Sequence, residues 1–73
     1  MAKIVLRIRF VGGDHVDVTH DEAGVAEGEL LEHVVSTLAE DTGVLRCRHG
    51  DRLIMIYGRG VATVEVAPRG AIL

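Results

Sequence analysis

Seventy-three residues hold one small domain and exclude a multidomain or modular organisation. A composition 48% hydrophobic and 26% charged with a single proline is that of a folded chain, not a disordered one, and no apolar run approaches the roughly 20 residues of a membrane span. The net charge of −3 hides an asymmetry: residues 1–43 carry three basic and nine acidic side chains, a net of −6, and residues 44–73 carry five basic and two acidic, a net of +3.

Residues 3 to 11 alternate, with Ile4, Leu6, Ile8 and Phe10 on one face and Lys3, Val5, Arg7, Arg9 and Val11 on the other. This spacing predicts a half-buried strand. Gly12-Gly13-Asp14 signals a turn, after which Val16 and Val18 resume the alternation. Matching the apolar faces sets Phe10 across from Val16 and Ile8 across from Val18, with Gly12 to Asp14 as a three-residue loop and Arg9 facing Asp17 outside.

Residues 21 to 28 read as a connection or a weak first turn. From Glu29 the period changes to that of a helix, with Leu30, Leu31, Val34, Val35 and Leu38 as its apolar stripe and Glu29, Glu32, His33, Ser36, Thr37 and Glu40 facing away. Gly43 is the expected left-handed cap, ending the helix near Asp41 or Thr42. The last third predicts a three-stranded meander. A two-residue loop at Gly50-Asp51 pairs Cys47 with Ile54 and Leu45 with Ile56, and Gly58-Arg59-Gly60 joins the next strand with Gly60 left-handed, pairing Ile56 with Ala62 and Ile54 with Val64. The inward set is then Leu45, Cys47, Ile54, Ile56, Ala62 and Val64, with Val66 at its end.

The expected architecture is a two-layer α+β domain over residues 1–67, in β-β-α-β-β-β order, with one helix packed on a four- to five-stranded, mainly antiparallel sheet; residues 68–73 form a short tail. One helix covers one face. Val5, Arg7, Arg9, Arg46, Arg48, Leu53, Met55, Tyr57, Val61 and Thr63 fall on the other, which is apolar in patches and ringed by arginine.

No motif carries recognisable chemistry. His15, Asp17, His20 and Asp21 are close in sequence and His49 and Asp51 flank a turn, but strand parity points them apart, so no set of three converges and neither a metal nor another cofactor is expected. His33 reads as an exposed helix partner of Glu29. Cys47 faces inward as a small apolar filler with no base beside it, and the lone cysteine admits no internal disulfide. Gly58-Arg59-Gly60 and Gly12-Gly13-Asp14 are hairpin chemistry and not phosphate loops. The chain is expected to be no enzyme and to have no small-molecule substrate. Met1-Ala2-Lys3 leads directly into the first strand without the apolar segment of a secretory signal, so a reducing, cytoplasmic setting is expected.

The element order, and the stretch Gly43-Val44-Leu45 through Val61-Ala62-Thr63-Val64-Glu65-Val66, resemble small actinobacterial domains of unknown function with a β-β-α-β-β-β layout. That resemblance brings no activity with it. The order of hairpin, helix and strands is also similar to ubiquitin-like β-grasp proteins, although the ending Gly70-Ala71-Ile72-Leu73 lacks the terminal Gly-Gly of a conjugated or sulfur-carrying member.

The leading functional expectation is a small protein-interaction module, a homodimer or the binder of another protein, using Leu53, Met55, Tyr57, Val61, Arg46 and Arg48 or a sheet edge. The alternative is nucleic-acid binding through Arg7, Arg9, Arg46 and Arg48, against which stand the net negative charge and an aromatic content of 3%. A third reading is a phage or plasmid type of protein that blocks a host factor with its acidic helix side. No membrane contact is expected.

Overall fold

Alternation between apolar and polar residues builds the first two strands, and a change of period to 3.6 residues builds the helix that follows. A computed structural model describes residues 2–67; the expected tail at 68–73 lies outside the described residues. The elements are β1 (Ala2–Phe10), β2 (His15–Glu22), α1 (Glu27–Ala39), β3 (Val44–His49), β4 (Arg52–Tyr57), a one-turn 3₁₀ helix (Gly58–Gly60) and β5 (Val61–Val66). The five strands form one antiparallel sheet in the order β4-β3-β2-β1-β5, and α1 packs on it, an α+β architecture.

The β1–β2 hairpin turns one residue earlier than the sequence suggests. Its loop is Val11-Gly12-Gly13, closed by the Phe10 N–H donating to the Asp14 carbonyl at 2.9 Å and the Gly13 N–H donating to the Phe10 carbonyl at 2.9 Å. Gly13 takes the left-handed conformation there, with φ +102°. Moving a three-residue loop by one position shifts the register by two residues, so every side chain keeps its face but changes its partner. Leu6 lies across from Val18, Ile8 across from Val16, and Arg7, not Arg9, across from Asp17.

Helix α1 begins at Glu27, with Glu27 and Glu29 in the first turn where acids favour the helix dipole. Leu30 and Val34 are fully buried against the sheet, Leu31 and Leu38 pack beside the core, and Val35 is 60% exposed. The helix stops at Ala39, and Gly43 is not left-handed. Glycine is needed there for a different reason: the chain doubles back so closely that a Cβ on Gly43 would overlap the Thr37 carbonyl.

The β3–β4 hairpin has the expected register, Cys47 across from Ile54 and Leu45 across from Ile56, with Gly50 left-handed at φ +62°. The expected three-stranded meander does not form. β5 leaves β4 and pairs with β1 at the far edge of the sheet, placing Val64 beside Ile8 and Val66 beside Leu6. Parity places side chains on a face but does not say which strand lies beside which. β1 carries the fully buried Leu6 and Ile8 and is flanked by strands on both sides, which keeps water from its apolar row. The register slips between Arg9 and Phe10, leaving Ala62 as the extra residue of a bulge. Val61 therefore joins the core side next to Phe10, and Ala62 is exposed, the reverse of the expected assignment.

This strand order forces the sheet to roll. The four peptide links from Tyr57 to Val61 span at most about 14 Å, whereas the outer strands of a flat five-stranded sheet lie about 19 Å apart. The core, Ile4, Leu6, Ile8, Val18, Leu30, Val34, Leu45, Cys47 and Ile56, fills the inside of that curl. Gly58 sits at the point where it closes, with its N–H donating to the Gly43 carbonyl at 2.9 Å, and the Gly60 carbonyl accepts from the Val11 N–H at 3.0 Å.

A Cβ on Gly58 would lie 2.6 Å from the Glu40 carbonyl oxygen and 2.7 Å from that of Leu38, backbone atoms that cannot swing aside. Gly58→Ala is expected to destabilise the fold by about 1–3 kcal/mol. Gly60 has open space where its side chain would be and no positive φ, so Gly60→Ala should shift stability by no more than about 0.5 kcal/mol. Urea-unfolding midpoints of the two variants check this contrast.

Candidate interaction surface

The outward side of the rolled sheet divides into two halves of different chemistry. Over β2, β1 and β5 the charges are internally matched. Arg7 donates from Nε to Asp17 Oδ1 at 2.8 Å and from Nη2 to Oδ2 at 3.1 Å, and Arg9 donates from Nε to Glu65 Oε1 at 3.1 Å. The hydrogen bond from Arg7 holds the Asp17 carboxyl below its usual range, and the same bond raises the guanidinium of Arg7. Two of the four arginines in the nucleic-acid reading are thus already paired with acids of the same sheet.

Over β3 and β4 the surface is different. The hairpin register sets Arg48 across from Leu53, Arg46 across from Met55 and Val44 across from Tyr57, all on the outward side. Val44, Leu53, Met55 and Tyr57 are each between 40% and 51% exposed. Arg59 lies over the Tyr57 ring, 5.1 Å from its centroid, so one face of that ring is covered. No ion pair among the described residues engages Arg46 or Arg48. Five of the six expected contact residues, Leu53, Met55, Tyr57, Arg46 and Arg48, therefore share one patch. The sixth, Val61, is turned to the core at the opposite edge by the β5 bulge. Val44 completes the patch; the strand alternation carried that signal, since it has the parity of Arg46 and Arg48.

The patch borders a cleft of about 720 Å³ where β2 and β3 separate, lined by Thr19, His20, Arg46, Arg48 and Leu53 and by His33 and Thr37 of α1. The two strands share a single ladder position, Thr19 with Arg48. Side chains replace the missing ladder. His20 Nδ1–H donates to the Arg46 carbonyl at 2.7 Å, His49 Nδ1–H donates to the Asp17 carbonyl at 2.6 Å, and the Thr19 hydroxyl donates to the Arg48 carbonyl at 3.4 Å. A carbonyl only accepts, so both imidazoles carry their proton on Nδ1. His33 reaches back from the helix to Glu22 at 3.2 Å, not to Glu29. Three of the four histidines are thus structural ties between elements, a role their sequence positions did not suggest.

Cys47 is 2% exposed, and burial pushes its thiol up to about 11, so it remains protonated near neutral pH and packs as an apolar group. Among the described residues no group of three or more His, Cys, Asp or Glu side chains is arranged to hold a metal ion, and no helix is long and apolar enough to cross a membrane.

No known protein family matches the chain, and no curated protein or solved structure is significantly similar to it.

Because the folded-state pKa of Asp17 lies below its unfolded value, the Arg7–Asp17 pair stabilises fully above the ordinary aspartate pKa of about 3.9 and is lost as pH falls below it through the depressed folded value. Asp17→Asn should lower stability at pH 7 and flatten the stability profile between about pH 5 and pH 2. Urea titrations across that range read both effects.

Proposed function

We propose that this protein is a small non-enzymatic protein-interaction module that associates with itself through the outward face of β3 and β4, with the sheet edges as a second route. The single observation that carries the reading is the contiguous exposure of Val44, Leu53, Met55 and Tyr57 beside Arg46 and Arg48. Tyrosine, methionine and arginine are enriched at interface centres, and a cluster of half-exposed apolar side chains on so small a chain is stabilised by contact with another surface. The outer strands β4 and β5 each leave one row of backbone groups unpaired within the sheet, the feature that allows strand addition. A reducing, cytoplasmic setting suits a lone cysteine buried as a free thiol.

Met55→Glu places a charge in the middle of the patch without touching the core. It is expected to weaken association at least tenfold, about 1.4 kcal/mol, with the unfolding midpoint unchanged. Light scattering over a tenfold concentration range measures this; unchanged association of the folded variant overturns the role of the face.

Nucleic-acid binding is the second reading, favoured by the unpaired Arg46 and Arg48 beside the exposed Tyr57. It is weakened by the pairing of Arg7 and Arg9 and by the seat of Arg59 on the one exposed ring. Anisotropy of labelled single strands tests it: binding at low salt that falls steeply as salt rises supports it, and no binding at low salt removes it.

A further inference from the structure

We infer that the occupant of the β3–β4 face is helix α1 of a second copy, so that the chain associates head to tail; this rests on the protein-contact reading of that face. The argument is electrostatic and geometric. In an isologous contact, the same face on both copies, Arg46 and Arg48 of each chain would meet a face that itself carries two arginines and no acid. The complementary surface is on the far side of the same molecule. There the exposed side of α1 presents Glu29, Glu32, Val35 and Ser36, and Leu31, Glu32, Val35 and Ser36 line a shallow groove.

Val35 is 60% exposed although its neighbours Leu30 and Val34 are fully buried, an apolar side chain set among acids. The spacings match. Two residues along a strand are about 7 Å apart, the separation of Arg46 and Arg48, and residues three apart on a helix surface, such as Glu29 and Glu32, are about 5–6 Å apart. Laid along β3 and antiparallel to it, α1 sets Glu29 against Arg48, Glu32 against Arg46 and Val35 toward Val44 and Tyr57. The outward face of the sheet and the outward side of the helix that covers its inner face point in opposite directions, so one chain cannot satisfy itself. A heterologous contact of this kind propagates and does not stop at two copies.

Salt separates the two modes of self-association by sign. Raising ionic strength from about 0.01 M to about 1 M shortens the screening length from about 30 Å to about 3 Å, which weakens an Arg–Glu contact and relieves an Arg–Arg one. Molar mass in solution is expected to rise with concentration past the dimer at low salt and to fall toward the monomer at high salt. Arg46→Glu with Arg48→Glu, and Glu29→Arg with Glu32→Arg, alter only exposed positions, and each double variant alone should remain monomeric with an unchanged melting temperature. Mixed in equal amounts they should regain high mass, because each reversed surface meets its reversed complement.

A dimer that tightens with salt, is abolished by Met55→Glu and ignores Glu32→Arg would overturn the helix as occupant while leaving the face as the contact. Association that survives Met55→Glu would overturn both. A monomer at every concentration and salt would end the self-association reading altogether.

Discussion

A connection of three residues governs the shape of this protein. Gly58–Gly60 must carry the chain from one edge of a five-stranded sheet to the other, and it is too short to do so unless the sheet rolls until its edges approach. The roll encloses the core, and α1 covers what the strands leave open. Gly58 makes the closure feasible because it alone has no side chain to meet the carbonyls of Leu38 and Glu40, so the end of the helix, the start of β3 and the end of β4 converge on one point. Gly60, bonded to the loop of the first hairpin, ties the same turn to the other end of the sheet.

The two-part character of the outward surface follows from that order. With β5 beside β1, Glu65 comes within reach of Arg9, and the β1–β2 register supplies Asp17 to Arg7, so the arginines of the first strand are matched inside the sheet. β4 gains no further neighbour in the sheet, and β3 meets β2 at one ladder position only, so among the described residues the outward arginines of that ribbon have no such partners. Had β5 lain beside β4, its Glu65 would have been offered to the β3–β4 half instead, and the contrast between a charge-matched half and an apolar, basic half would be lost.

The seam between β2 and β3 shows how local chemistry substitutes for regular pairing. Where the ladder thins, His20 and His49 donate to carbonyls on the opposite strand and His33 fastens the helix to the end of β2. Each imidazole serves as a short cross-tie between groups that would otherwise face water or go unpaired. Nothing in the spacing of these residues along the chain marks them for this, since each reaches a partner from 11 to 32 positions away.

By itself the amino-acid sequence determined what depends on neighbours along the chain: the element order, the face of nearly every residue in β1 to β4, the inward Leu30 and Val34 of the helix, and the register of the β3–β4 hairpin, because periods of 2 and 3.6 residues and a two-residue turn are local properties. The outward placement of Leu53, Met55, Tyr57, Arg46 and Arg48 on one face was legible to the same extent, because it too follows from alternation. Tertiary structure decided the rest. It set β5 beside β1, turned Val61 inward through a bulge, moved the first loop by one residue and so gave Asp17 to Arg7, required glycine at 43 for close approach instead of for a left-handed cap, and made Gly58, not a left-handed Gly60, the glycine on which the 58–60 turn depends. Each of these depends on burying an apolar row or fitting backbone against backbone between segments far apart in the chain, and parity, which is indifferent to the identity of the neighbouring strand, carries no information about it.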